Sequence, residues 1–451
     1  MVIIVLEEIE LWFKYIWEQF AQINSLKTEY KLITYSDYMV AEHSKNEALL
    51  IEYSTKQRYP ESLFIPRKKE FKTDDYVWIR EDLPVYSGTI LEQNEDKDYD
   101  IFYNAFVHLS RLEEWESEKN GRYIHSYSFR HPRKEKKIWK IPVVNYLFNE
   151  LEKKIRTKYP EVLFGNKLKP IIEFSHDVDY IKKTLPLRLK QTLFHFFNSS
   201  RLLLHLDLKG SFSKFKKGID FVFRNSDYWC FDSWTELENA LNIKSVYYFF
   251  ARSDDQNRFN PKRWFLDPSY DIKRNKRLKE KCKELVSNGN RIGINGSYFS
   301  AANEGLFCKE KEILEDSINC EITKSRQHWL KYYETKTPYI HNKAGLKEDS
   351  TIGFNDIPGF RAGVASIYNT YDHQNNRLLP FKEIPLVVMD SHLYDYSVDS
   401  DSHNLRWLCD SMKKIKNFMI SVDWHQRVIS KDYGWNAGYK DIVSMIGAEN
   451  T

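Results

Sequence analysis

Up to about Tyr159 the spacing of apolar and polar positions is mixed. Runs of strand length at 48–53 and 74–79 share this region with helical spacing at 101–110 and 142–157. From Leu168 a new pattern begins, in which short apolar runs stop abruptly in polar clusters. Such runs fall at 170–175, 245–251, 291–294, 383–389 and 418–422, with helical stretches at 234–241 and 274–288 before the second and third. Strands alternating with helices imply parallel pairing through right-handed crossovers, hence an α/β barrel or a doubly wound sheet. The pattern predicts a small α/β domain over residues 1–160 and a second α/β unit over 165–451. In the second, functional groups are expected at the carboxyl ends of the strands.

One stretch breaks the alternation. Residues 185–223 are long, basic and apolar, and read either as a helical insertion packed on the second unit or as an interfacial segment that touches a membrane. Residues 130–140 are densely basic and read as a solvated loop, with an anion-binding patch as the alternative.

Charge and cysteine content narrow the functional classes. A net charge of +4 lacks the basic excess of a non-specific nucleic-acid binder, so no nucleic-acid partner is expected. Five scattered cysteines without C-x-x-C spacing argue against a disulfide framework and a zinc-thiolate site, and a reducing cytoplasm suits them best. The apolar run 1–6 is followed at once by Glu7, Glu8 and Glu10, which leaves no basic segment of an export signal, and no stretch approaches a bilayer span. A cytoplasmic location is the expectation. Aromatic residues, at 15%, suit stacking on sugars but mostly fill cores.

Five polar clusters in the second region read as strand endings: His176-Asp-Val-Asp179, Asn295-Gly-Ser-Tyr298, Arg326-Gln-His328, Gly359-Phe-Arg-Ala-Gly363 and Asp423-Trp-His425. Period two on an extended chain puts Asp177 and Asp179 on one side. Two close carboxylates allow one to ligate a divalent ion while the other acts as a base toward water. Each residue also has a plainer role: Asp177 and Asp179 as turn formers or caps, His328 as a core histidine, Arg361 as an ion-pair partner, His425 as a structural side chain.

In their order these motifs resemble the NodB-homology polysaccharide deacetylases, closest to a cytoplasmic branch of polysaccharide biosynthesis with a small amino-terminal domain. Leu109-Ser-Arg-Leu-Glu-Glu114 and Gly121-Arg-Tyr123 add to the resemblance. It implies a distorted (β/α) barrel holding zinc or a similar divalent ion, and a carbohydrate or glycolipid substrate that loses an N- or O-acyl group. It also implies Asp177 as base, Asp179 as carboxylate ligand, Arg361 as the arginine orienting the base, and His425 as proton donor to the leaving group. Asp390 is placed to hold His425 in its working tautomer. The family pattern has histidine where this chain has Asn295, and an amide is a poor zinc ligand. His328 is the replacement ligand, completing a set with Asp179 and His176 or Asn295. The same departure supports a second expectation, a catalytically silent relative that binds glycan as an accessory protein.

Overall fold

The computed structural model describes residues 1–40, 49–68, 75–90, 98–253, 261–394 and 405–449; Ala48 and Asp74, where two strands were expected to begin, lie outside them. The first region builds a parallel sheet from β1 (Val2–Leu6), β2 (Tyr30–Thr34), β3 (Leu49–Ser54) and β4 (Leu63–Pro66), in the order β2-β1-β3-β4. A separate antiparallel pair is formed by β5 (Tyr76–Arg80) and β6 (Leu83–Tyr86). Central β1 is a continuous apolar run, as a strand covered on both faces requires. Helices Leu11–Ile23, Ile101–Leu109 and Val143–Lys158 supply much of the cover. The middle helix opens where the Asp100 carboxylate accepts from Tyr103 N, and its Phe102 meets Phe13 of the first helix at 4.8 Å between ring centres.

The second region is a nine-stranded sheet of β7 (Ile171–Val178), β8 (Val246–Phe249), β9 (Arg291–Gly296), β10 (Lys324–Gln327), β11 (Glu348–Asp349), β12 (Tyr368–Asp372), β13 (Arg377–Glu383), β14 (Leu386–Met389) and β15 (Met419–Asp423). All ladders are parallel except the one that hangs β12 on β13. Strands β13 and β14 are one run of chain broken only at Ile384–Pro385, and that run closes a ring. Ile384 N donates to Asp349 O (2.9 Å) and Leu386 N to Ile352 O (3.1 Å) on one side, while Ser421 N donates to Pro385 O (2.8 Å) on the other. The α/β class and the distorted barrel are therefore present. Among the described residues no helix is long and apolar enough to cross a membrane.

Two expectations change. Residues 383–389, expected as one strand, are split between the end of β13 and β14. The basic stretch 130–140 is only partly solvated: Lys134, Lys136 and Lys137 are exposed, but His131, Arg133, Ile138 and Trp139 are buried. Its two strong apolar residues and the Arg133–Glu113 ion pair tie it down.

The two regions share a core. Phe106 and Leu147 of the first belong to one apolar cluster with Tyr332, Ile352, Val364 and Tyr368 of the second. Buried ion pairs cross the same boundary: Arg111 binds Glu334 at 2.8 Å, and Arg361 binds Glu114. Gly363 is in the left-handed region (φ +61°), and a Cβ there would stand 2.7 Å from His108 Nδ1, so the chain approaches closely only because this residue is glycine.

Candidate active site

The carboxyl ends of β7, β9, β10, β14 and β15 converge on one mouth of the barrel. Arg326, at the end of β10, crosses the interior. Its Nη1 donates to Ser175 Oγ (2.8 Å), Asp177 Oδ1 (3.0 Å) and Asp423 Oδ1 (2.8 Å), and its Nη2 to Ser350 Oγ (3.1 Å) and Ser421 Oγ (3.0 Å). A fully buried guanidinium needs this many acceptors, and in return it fixes the Asp177 carboxylate. The side chain of Tyr248 covers it, with its ring centre 4.4 Å from the guanidinium carbon.

Asp179 stands at the centre of the mouth. Its Oδ1 accepts from Asn295 Nδ2 (3.2 Å) and lies 3.3 Å from His328 Nδ1; its Oδ2 accepts from Arg427 Nη1 (3.0 Å) and lies 3.4 Å from His425 Nε2. Burial alone would raise this carboxyl, but His328, His425 and Arg427 hold it well below the usual carboxylate range. His425 is anchored from behind: Asp390 Oδ2 accepts from the His425 backbone N (2.7 Å), and the same carboxylate sits 3.0 Å from His425 Nδ1. Burial disfavours a charged His425, yet Asp390 and Asp179 push it up to about 10. Asp423 is pushed up to about 7 by burial and by the neighbouring Asp177 charge.

The structure thus brings together Asp177, Asp179, Asn295, His328, Asp390 and His425. It places His176 and Arg361 elsewhere. His176 alternates to the outer face of β7, where its ring nitrogens lie 2.7 Å from Trp424 O and 2.9 Å from Glu238 Oε1, against Trp234. That corrects its expected place among the metal ligands. Arg361 points into the boundary between the two regions, with Nε donating to Glu114 Oε1 (3.1 Å) and Nη1 to Gly353 O (3.0 Å). Its plainer reading as an ion-pair partner is the correct one, and Arg326 is the arginine that holds Asp177. Sequence reasoning missed the roles of Arg326, Asp423 and Arg427. The available signal was the same period two that paired Asp177 with Asp179: each of these three lies two residues from His328 or His425.

The mouth opens into a cavity of about 440 Å³. Its floor carries Asp177, Asp179, His328, His425 and Arg427, and its walls include Leu193, Phe194 and Phe197 of the helix Leu185–Leu204 together with Trp329 and Met389. Trp329 and Leu330 both adopt left-handed backbone (φ +61° and +48°), a strained turn that carries both into the cavity wall directly after His328.

Two donor groups can be tested against a cation. Asp177, Asp423 and His425 offer ligand atoms within 4.8 Å of one another. Both carboxylates of that group already share Arg326 Nη1, and His425 Nδ1 is engaged by Asp390. Asp179, Asn295 and His328 fit better. Ligands of a tetrahedral ion at about 2.0–2.1 Å stand about 3.3 Å apart, which is the spacing of the His328 and Asn295 nitrogens from Asp179 Oδ1. Asn295 Oδ1 and His328 Nε2 are buried without a hydrogen-bond partner among the described residues, and the amide presents its oxygen to an ion if turned over. The set has two strong donors and one weak one.

Against known proteins, a family of unknown function, DUF7033, matches residues 2–160. No curated protein matches the chain. Solved structures similar to it include a candidate polysaccharide deacetylase from Mycobacterium smegmatis, at 12% identity and TM-score 0.36, covering 63% of this chain and 84% of that one. Another is a candidate polysaccharide deacetylase from Pseudomonas aeruginosa PAO1, at 11% identity and TM-score 0.35, covering 61% of this chain and 83% of that one. A CE4 family pseudoenzyme from Bacillus anthracis is also similar, at 9% identity and TM-score 0.26, covering 64% of this chain and 63% of that one.

Proposed function

We propose that the barrel mouth is a hydrolytic site that removes an acyl group, N-acetyl first among the alternatives, from a sugar during surface-polysaccharide assembly. The observation that carries this reading is the pairing of a carboxylate fixed by a buried arginine, Asp177 on Arg326, with an imidazole fixed by a buried carboxylate, His425 on Asp390, across Asp179 on one cavity floor. Asp177 is the base that takes a proton from the attacking water. His425, charged at neutral pH, gives its proton to the departing nitrogen or oxygen. Arg427 keeps Asp179 ionised and in place. Asp179, His328 and Asn295 are the residues that would hold a divalent ion, with zinc the first expectation, and when bound such an ion polarises the acyl carbonyl.

A second reading, a silent glycan-binding relative, is favoured by one observation: Asp179 already has Arg427 and His425 as cationic partners, so its charge is balanced by the chain itself. Asp177→Asn separates the two. Acetate release per folded molecule from acetylated sugars should fall by about 10²- to 10⁴-fold, while Ser175 and Asp423 still accept from Arg326 and the fold is kept. Release unaffected by the substitution would remove the hydrolase.

A further inference from the structure

Helices Leu185–Leu204 and Leu208–Phe223 form an antiparallel pair whose polarity is reversed relative to a water-facing one. Between them lie hydroxyls, a glycine and one stacked ring pair, Phe196 on Phe215. Ser199 Oγ donates to Ser211 O (2.8 Å), Thr192 Oγ1 donates to Gly218 O (3.3 Å), and a Cβ on Gly218 would come within 2.7 Å of the Phe196 ring. Most of the other large apolar side chains point out: Leu204, Leu206 and Phe223 are 84%, 85% and 81% exposed, and Leu203, Leu208 and Phe212 are exposed beside them. Small and hydroxyl residues at the contact with Leu and Phe outside is how helices pack in lipid. An apolar face this extended on a rim of the molecule marks an interaction site.

Charge identifies the occupant. Of the seven Lys or Arg in residues 185–223, Lys190 turns to the cavity and Arg188 to Val222 O and Arg224 O, which leaves Arg201, Lys209, Lys214, Lys216 and Lys217 against Asp207 and Asp220, a net positive charge. A second copy would bring the same positive face against itself, whereas an anionic lipid surface attracts it. No described helix is able to span a bilayer, so the pair would lie in the interface plane. The face also adjoins the cavity, because the exposed Leu193 and Phe197 of the same helix line it.

We propose that the pair 185–223 docks on an anionic membrane surface and turns the cavity mouth toward it, so that the sugar arrives on a lipid carrier. The lipid-borne substrate rests on the hydrolytic reading above; the docking does not. The test is flotation of the full chain with vesicles of phosphatidylcholine, alone or with about one-third phosphatidylglycerol. The chain should float with the anionic vesicles, less so at high salt, and hardly with the neutral ones. The triple variant Leu204→Glu, Leu206→Glu, Phe223→Glu changes only exposed positions and should melt at the same temperature while its partitioning falls at least about tenfold. No flotation at low salt, or equal flotation of the variant, overturns the proposal. So does a dimer in solution that the variant dissociates, since that assigns the face to a second copy. Flotation without acetate release from any acetylated sugar keeps the docking and removes the lipid-borne substrate. Acetate release without flotation removes the docking and keeps the hydrolase.

Discussion

The amide at 295 and the imidazole at 328 meet Asp179 Oδ1 at 3.2 and 3.3 Å, and only one of them is a strong donor for a transition ion. If an ion sits there, Asn295→His should raise zinc affinity by about tenfold or more, read by competition with a chromophoric chelator. The reverse change, Asp179→Asn, should abolish stoichiometric binding. Affinity indifferent to both would place any bound ion elsewhere. How much of this was legible in the sequence follows from strand periodicity. Asp177, Asp179, His328 and His425 were legible because each sits at or just past a strand end, where side-chain direction is fixed by alternation. The same rule, applied to the residue just before Asp177, would have excluded His176, because alternation turns it to the opposite face. Arg361 was beyond it, because the loop 359–363 is not a strand and its direction is set by Glu114, far away in sequence.

At the scale of elements, the helix Glu304–Ile318 is tied to the end of β9 by Glu310, whose Oε2 accepts from Ser297 N at 3.0 Å. Asn303 caps this helix, accepting from Leu306 N, so its start is fixed by a local signal that sequence carries. The Glu310 carboxyl is fully buried, and burial pushes it up to about 7. A carboxyl whose folded value lies above its unfolded value, about 4.3, stabilises the fold while protonated. That contribution is complete below the unfolded value and is lost as pH rises through the folded one, on the order of 3–4 kcal/mol across the window. The melting temperature should therefore fall between pH 5 and pH 8, and Glu310→Gln, which keeps the shape without the charge, should reduce that fall. Equal falls in the two proteins would show that Glu310 is not the group that titrates. Elements such as β11 and β13 stayed hidden for a different reason. β11 is two acidic residues, the alternation in β13 holds a proline, and β10 and β12 are largely polar, so none shows the apolar run by which β7, β8, β9, β14 and β15 were found.

On the scale of the whole molecule, the change of pattern near residue 165 separates two kinds of sheet but not two cores. One apolar cluster runs through both regions, and two buried arginine–glutamate pairs, Arg111–Glu334 and Arg361–Glu114, cross between them. Contacts between residues more than two hundred positions apart leave no periodic trace in sequence, which is why an ion pair at Arg361 could be named beforehand but its partner could not. Both members of the Arg361–Glu114 pair are 2% exposed. Removing one leaves the other charged and without solvent, at about 3–5 kcal/mol. Arg361→Met should accordingly lower stability by that amount, and because the core is shared, calorimetry should show one transition moved down rather than a separate early melting of residues 1–160. If Arg361 acted on the reaction instead, the variant would keep its melting temperature and lose turnover per folded molecule. The geometry calls for the opposite: full turnover per folded molecule below a lowered melting point.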